Sequence, residues 1–93
     1  MAVTFLVPGY LREFTSGAAR VAFDESPRNV REALVLLWTR HPGVRDRVVT
    51  ETGETRPHVN VFVGDESIRW TGGLDTPIAP GAEISIVPAV SGG

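Results

Sequence analysis

One stretch of this 93-residue chain has the periodicity of a long amphipathic helix, and it constrains the fold more than any other feature. Its apolar residues recur at intervals of three and four, which places them on one helix face. These residues are Val30, Ala33, Leu34, Leu37 and Trp38. Ser26 can cap the free N–H groups and Pro27 suits the first helical position, so we predict that the helix starts there. His41-Pro42-Gly43 ends it, because proline cannot continue the hydrogen-bond ladder.

Short apolar segments precede and follow this helix. Ala2 to Val7 and Ala19 to Phe23 are predicted strands of a hairpin, with turns at Pro8-Gly9 and Ser16-Gly17. Residues 44–57 predict a short helical turn and a loop. Val59 to Val63 is predicted to be a strand, Gly64-Asp65-Glu66 a turn, and Ser67 to Trp70 the return strand. Glu83 to Pro88 is the predicted last strand.

This order of elements predicts an α+β fold in which one main helix packs across a mixed sheet of about five strands. In so short a chain it favours the β-grasp, or ubiquitin-like, roll. We assign residues 1–88 to the domain and residues 89–93 to a flexible, extended tail that ends in Gly-Gly. Trp38 and Trp70 are predicted to be core or half-buried residues.

Composition excludes several classes of function. The chain has no cysteine, which excludes a disulfide scaffold and a thiolate metal site. Its net charge is −2, so nucleic acid is not expected as a partner. The apolar runs are too short to span a membrane, and no secretory signal opens the chain, so we expect a cytoplasmic protein. His41 and His58 lack the neighbours of a metal site, so we expect no metal and no bound cofactor.

The last residues carry the functional signal. Glycine loses the most conformational freedom when it is ordered, so a terminal Gly92-Gly93 brings a folded domain no benefit. It suits a tail that enters a narrow channel, where a Cβ would clash. The five tail residues Ala89, Val90, Ser91, Gly92 and Gly93 can reach about 17 Å beyond the last strand. The alternative is an unstructured glycine end or a cloning remnant.

Two segments of the sequence resemble a known family. They are Val59-Asn60-Val61-Phe62-Val63 and Ile84-Ser85-Ile86-Val87-Pro88-Ala89-Val90-Ser91-Gly92-Gly93, with Gly72-Gly73-Leu74 between them. Together they resemble the ThiS/MoaD-type sulfur carriers, and most of all the CysO-like carriers of a bacterial cysteine-synthesis route. Ala82 departs from the aspartate that these families usually place there, which concerns the turn more than function.

The resemblance implies chemistry at Gly93. A terminal carboxylate is ionised at pH 7 and is a poor electrophile. An E1-like adenylating enzyme would use ATP and Mg²⁺ to activate it, and a sulfur donor would then convert Gly93 to a thiocarboxylate. The chain would be a co-substrate and not an enzyme. A cysteine-synthase-like enzyme would accept the sulfur, and a metal-dependent peptidase would release cysteine from the tail.

Other roles share the same ending. The small subunit of molybdopterin synthase and a thiamin-route carrier are alternatives within the family, and a ubiquitin-like protein modifier is an alternative from another class. The chain has nine arginines and no lysine, so it cannot accept its own conjugation on a side chain. Conjugation to other proteins stays open.

The strand pattern also predicts a docking surface. Alternation predicts that Leu6, Phe62 and Val87 face away from the helix if the alternate residues face it. Those helix-facing residues are Val3, Phe5, Val7, Val59, Val61, Val63, Ile84 and Ile86. The first, last and third strands are neighbours in a β-grasp sheet, which would bring these three together. A contiguous exposed apolar patch usually marks a partner site. Scattered surface hydrophobes are the alternative.

Overall fold

Five strands form one mixed sheet in the computed structural model, which describes residues 3–88. The strands are β1 (Val3–Leu6), β2 (Arg20–Phe23), β3 (Val59–Val63), β4 (Glu66–Ser67) and β5 (Ala82–Pro88). Their order across the sheet is β2-β1-β5-β3-β4. The central strand β5 runs parallel to β1 and antiparallel to β3. This topology confirms the predicted β-grasp roll.

Two consecutive helices connect the two halves of the sheet. They are α1 (Val30–Arg40) and α2 (Pro42–Val48). As predicted, α1 ends just before His41-Pro42-Gly43, and Pro42 opens α2 in the first-turn position that tolerates proline. Helix α2 is the short helical turn expected after the main helix.

The predicted start of α1 is wrong. Asn29, not Ser26, is the cap, and its side-chain oxygen accepts a hydrogen bond from the Glu32 N–H at 2.9 Å. The chain before it is held by residues far along the sequence. The Val30 N–H donates to the Thr76 carbonyl at 3.0 Å, and the Ile78 N–H donates to the Arg28 carbonyl at 3.2 Å. These contacts keep residues 28 and 29 extended, so the helix cannot begin at Pro27.

A single core lies between the sheet and the helices. The side chains of Val3, Phe5, Val59, Val61, Ile84 and Ile86 are at most 2% exposed, as alternation predicts. They pack with the stripe of α1, in which Val30, Ala33, Leu34 and Leu37 are buried. Trp38 and Val63 are half-buried at the border of this core. The strand register is therefore the predicted one.

Two connections differ from the sequence-based prediction. The link between β1 and β2 is a 3₁₀ helix, Gly9–Thr15, and not a simple hairpin turn. It buries Leu11, and the buried Thr15 hydroxyl donates to main-chain carbonyls. The return strand β4 has only two residues, because Ile68–Trp70 turns into a 3₁₀ helix that directs Ile68 into the core.

Candidate functional site

The strand that leads to the predicted tail lies at the centre of the sheet. Pro88, the last residue of β5, is opposite Val59, the first residue of β3. On the other side, β1 runs parallel to β5 and ends at Leu6. We call this end of the sheet the exit edge, because the chain continues from it toward residue 89. The predicted tail residues Ala89, Val90, Ser91, Gly92 and Gly93 lie outside the described residues.

The three predicted docking residues share the sheet face that is turned away from the core. Leu6 on β1 and Phe62 on β3 are both paired with Ser85 of β5, one from each side. Val87 is the next residue of β5 on that face, and it is opposite Asn60. The sheet therefore brings Leu6, Phe62 and Val87 together around Ser85, close to the exit edge.

Exposure on this face is uneven. Val87 is 37% exposed, whereas Leu6 and Phe62 are half-buried. Beside them, the Asn60 side-chain oxygen accepts a hydrogen bond from the Arg69 Nε at 3.0 Å. A partner could cover this face without stripping water from an unpaired charge at its centre. Docking at these residues stays a prediction.

The structure places two residues of the 3₁₀ helix after β4, Arg69 and Trp70, differently from the sequence-based prediction. Arg69 contacts the main chain at the start of β3. Its terminal nitrogen donates to the Pro57 and Val59 carbonyls, both at 3.1 Å. Trp70, predicted to be in the core or half-buried, is 85% exposed. The prediction fails because the 3₁₀ helix turns Ile68 inward and leaves Trp70 on the outside. A strand through residue 70 would not have separated them in this way.

Within residues 3–88, no three histidine, cysteine or acidic side chains come close enough to hold a metal ion. No helix of that part of the chain is long and apolar enough to cross a membrane. His41 lies at the junction of α1 and α2, where its N–H donates to the Leu37 carbonyl at 2.8 Å.

Comparisons with known proteins agree with this architecture. The model of the ThiS family matches residues 5–93. The sulfur carrier protein CysO of Mycobacterium tuberculosis is 35% identical over 95 aligned residues that cover all of both chains. A chain in the crystal structure of the Amycolatopsis orientalis BexX/CysO complex is 36% identical, with a TM-score of 0.88 over 99% of this chain and 100% of that one. SAMP1, the small archaeal modifier protein of Haloferax volcanii, is 30% identical with a TM-score of 0.80 over all of both chains.

Proposed function

The chain belongs to the ThiS family, and from this membership we propose that it is a sulfur carrier whose C-terminal Gly93 becomes a thiocarboxylate. The observation that carries the proposal is the similarity to the M. tuberculosis sulfur carrier CysO, which covers both chains completely. The position of the docking residues supports it, because Val87 is on the last strand before the tail. A partner that covers this face would be well placed to receive the residues that follow.

The proposed chemistry begins with an unreactive group. The Gly93 carboxylate attacks the α-phosphorus of ATP within an E1-like enzyme, and pyrophosphate leaves. In the resulting acyl adenylate, AMP is a good leaving group. A hydrosulfide-level donor then attacks the carbonyl carbon, the bond to AMP breaks, and a proton is released. The chain supplies the reacting carboxylate and its placement, so it acts as a co-substrate of other enzymes.

The composition of the chain suits this chemistry. An acyl adenylate reacts with amines and thiols, and this sequence contains neither a lysine nor a cysteine. No side chain of those types competes with the sulfur donor for the activated Gly93. The thiocarboxylate is then the one sulfur nucleophile of the chain, apart from the thioether of its single methionine.

For the sulfur acceptor we propose a cysteine-synthase-like enzyme, with a metal-dependent peptidase that later frees cysteine from the tail. The similarity to CysO supports this assignment within the family. Transfer to a molybdopterin precursor or to a thiamin precursor is the alternative, since the same tail chemistry serves both. The acceptor enzyme and the activating enzyme are the two proposed partners.

A role as a protein modifier is the second candidate, because the chain is similar to the small archaeal modifier protein SAMP1. The two functions predict different products in cells. A carrier should be recovered as free chain, as thiocarboxylate, and with cysteine attached to Gly93. Denaturing capture of the chain followed by mass spectrometry tests this. Abundant isopeptides between Gly93 and lysines of other proteins would favour the modifier, and a chain without Gly93 serves as the control.

A further inference from the structure

The arginines divide into two groups by their partners. Four of the nine form ion pairs with a carboxylate within residues 3–88. They are Arg20, Arg28, Arg31 and Arg45. The other five have no carboxylate partner in that part of the chain, and four of those five lie at or beside the exit edge. These four, which we call the exit-edge arginines, are Arg12, Arg47, Arg56 and Arg69.

The exit-edge arginines flank β5 on both sides. On the β1 side, the Arg12 Nε donates to the carbonyl of Val7 at 3.1 Å, immediately after the end of β1. On the β3 side, Arg69 donates to the Pro57 and Val59 carbonyls at the start of β3. The partners of both arginines are neutral carbonyls and an amide oxygen, so their positive charges are not neutralised there.

Arg47 and Arg56 line a cleft on the same side of the molecule. The cleft has a volume of about 460 Å³ and lies between the 3₁₀ helix Gly9–Thr15, α2 and the start of β3. The Arg47 guanidinium carbon is 5.0 Å from the centre of the Phe14 ring. The Arg56 Nε donates to the Asp46 carbonyl at 2.7 Å, which leaves its terminal nitrogens available.

The remaining lining of the cleft is mixed. Tyr10, Leu11 and His58 lie in its wall, with the acidic residues Glu13 and Asp46. The Asp46 carboxylate is already engaged by Arg45 at 3.3 Å. Partial burial raises the pKa of the Tyr10 phenol, a group that is neutral at pH 7 in any case. Among the described residues, Glu13 is then the one carboxylate of the lining without an ion pair. The lining also holds two arginines, so the cleft has an excess of positive charge.

We propose that the exit edge docks an acidic segment of the E1-like activating enzyme, with its carboxylates on Arg47, Arg56 and the neighbouring exit-edge arginines. The inference rests on the proposed function. Guanidinium groups bind carboxylates through paired, planar hydrogen bonds, and the ring contact holds Arg47 over Phe14. A nucleic acid fits less well, since the chain as a whole is acidic and Glu13 and Asp46 lie in the same cleft.

The length that five residues can span supports this assignment. Five extended residues span about 17 Å, so the reacting carboxylate can be deep in an active site while the exit edge stays at its entrance. Charges at an entrance act before contact. They orient the approaching molecules and raise the association rate, and this effect weakens as salt is added. The exit-edge arginines would thus govern how fast the tail is captured.

The test compares the double variant Arg47→Gln/Arg56→Gln with the single variant Arg28→Gln as a control. Arg28 already pairs with Glu32 at 2.8 Å near the start of α1, and it is highly exposed. Association with the E1-like enzyme from the same genome is measured by stopped flow from low to physiological salt. We expect the double variant to associate about tenfold more slowly at low salt, with a flatter salt dependence. Arg28→Gln should behave like the parent chain.

Several outcomes would overturn the inference. One is a double variant that associates with the E1-like enzyme as fast as the parent chain does. Another is an Arg28→Gln variant whose association rate falls as much as that of the double variant. A third is salt-sensitive dimerisation of the parent chain that the double variant lacks, because the occupant would then be a second copy. The sulfur-carrier function and the docking at the exit edge can be tested separately. The measurement is conversion of Gly93 to the thiocarboxylate at saturating enzyme and low salt. A parent chain that is not converted overturns the proposed function, whereas conversion with unaltered association overturns only this inference.

Discussion

Deletion of Gly92 and Gly93 should abolish ATP–pyrophosphate exchange by the E1-like enzyme. The deletion removes the carboxylate that would attack ATP and leaves Ser91 at the end, with a Cβ where a narrow channel admits glycine. It also shortens the tail to three residues, which reach only about 10 Å beyond Pro88. Ser91→Gly is the matched control, since it keeps the length and the terminal glycines, and it should retain exchange.

The same deletion should leave the thermal midpoint of unfolding nearly unchanged. The described core is built from residues between Val3 and Ile86, and chain ends usually tolerate removal. Differential scanning calorimetry of both variants checks this. A large fall in the midpoint would assign the two glycines a structural role, and undiminished exchange would contradict their role in activation.

Phe62→Ala should weaken binding to the activating or acceptor enzyme at least tenfold, which corresponds to about 1.4 kcal/mol. Phe62 lies among Leu6, Ser85 and Val87 on the outer face of the sheet, and an aromatic at the centre of an interface is a typical hot spot. Full burial of an exposed side chain of this kind contributes up to about 3 kcal/mol, so completing the burial of the half-buried Phe62 contributes up to about half of that. Titration calorimetry with each purified enzyme gives the affinities.

Val61→Ala is the matched control for Phe62→Ala. Val61 is the preceding residue of β3, points to the opposite face and is 1% exposed. Its truncation leaves a cavity and should lower the free energy of unfolding by about 2 kcal/mol, while the folded variant keeps its partner affinity. Phe62 is half-buried, so its own variant should lose less stability. Unchanged affinity for both enzymes in Phe62→Ala would place docking elsewhere.

The elements with strong periodicity could be predicted from the sequence. The alternation of β3 and the stripe of α1 each report one buried face, and burial in the structure follows both. The start of α1 could not be predicted in this way. Asn29 pairs with Pro77 in an isolated bridge, and Arg28 and Val30 bond to residues 76–78. Those contacts join segments almost 50 residues apart, and they outweigh the local preference of Ser26-Pro27 for a helix start.

In the candidate site, too, some residues could be placed from the sequence pattern and others could not. Leu6, Phe62 and Val87 could be placed on one face because each is on a strand whose register follows from its apolar pattern. Trp70 could not, because hydrophobicity alone predicts burial, whereas the 3₁₀ helix after β4 leaves this side chain exposed. The exit-edge arginines lie between positions 12 and 69 of the chain, so no local motif indicates that the fold brings them to one edge.

Intact-mass spectrometry tests the central claim most directly. The chain is incubated with the E1-like enzyme, ATP, Mg²⁺ and a sulfide donor, and the enzyme is first shown to be active on another carrier. The sulfur-carrier account predicts that one oxygen of the chain is replaced by sulfur, and that fragmentation locates the sulfur at Gly93. An unchanged mass under these conditions, or sulfur located anywhere other than Gly93, would contradict it.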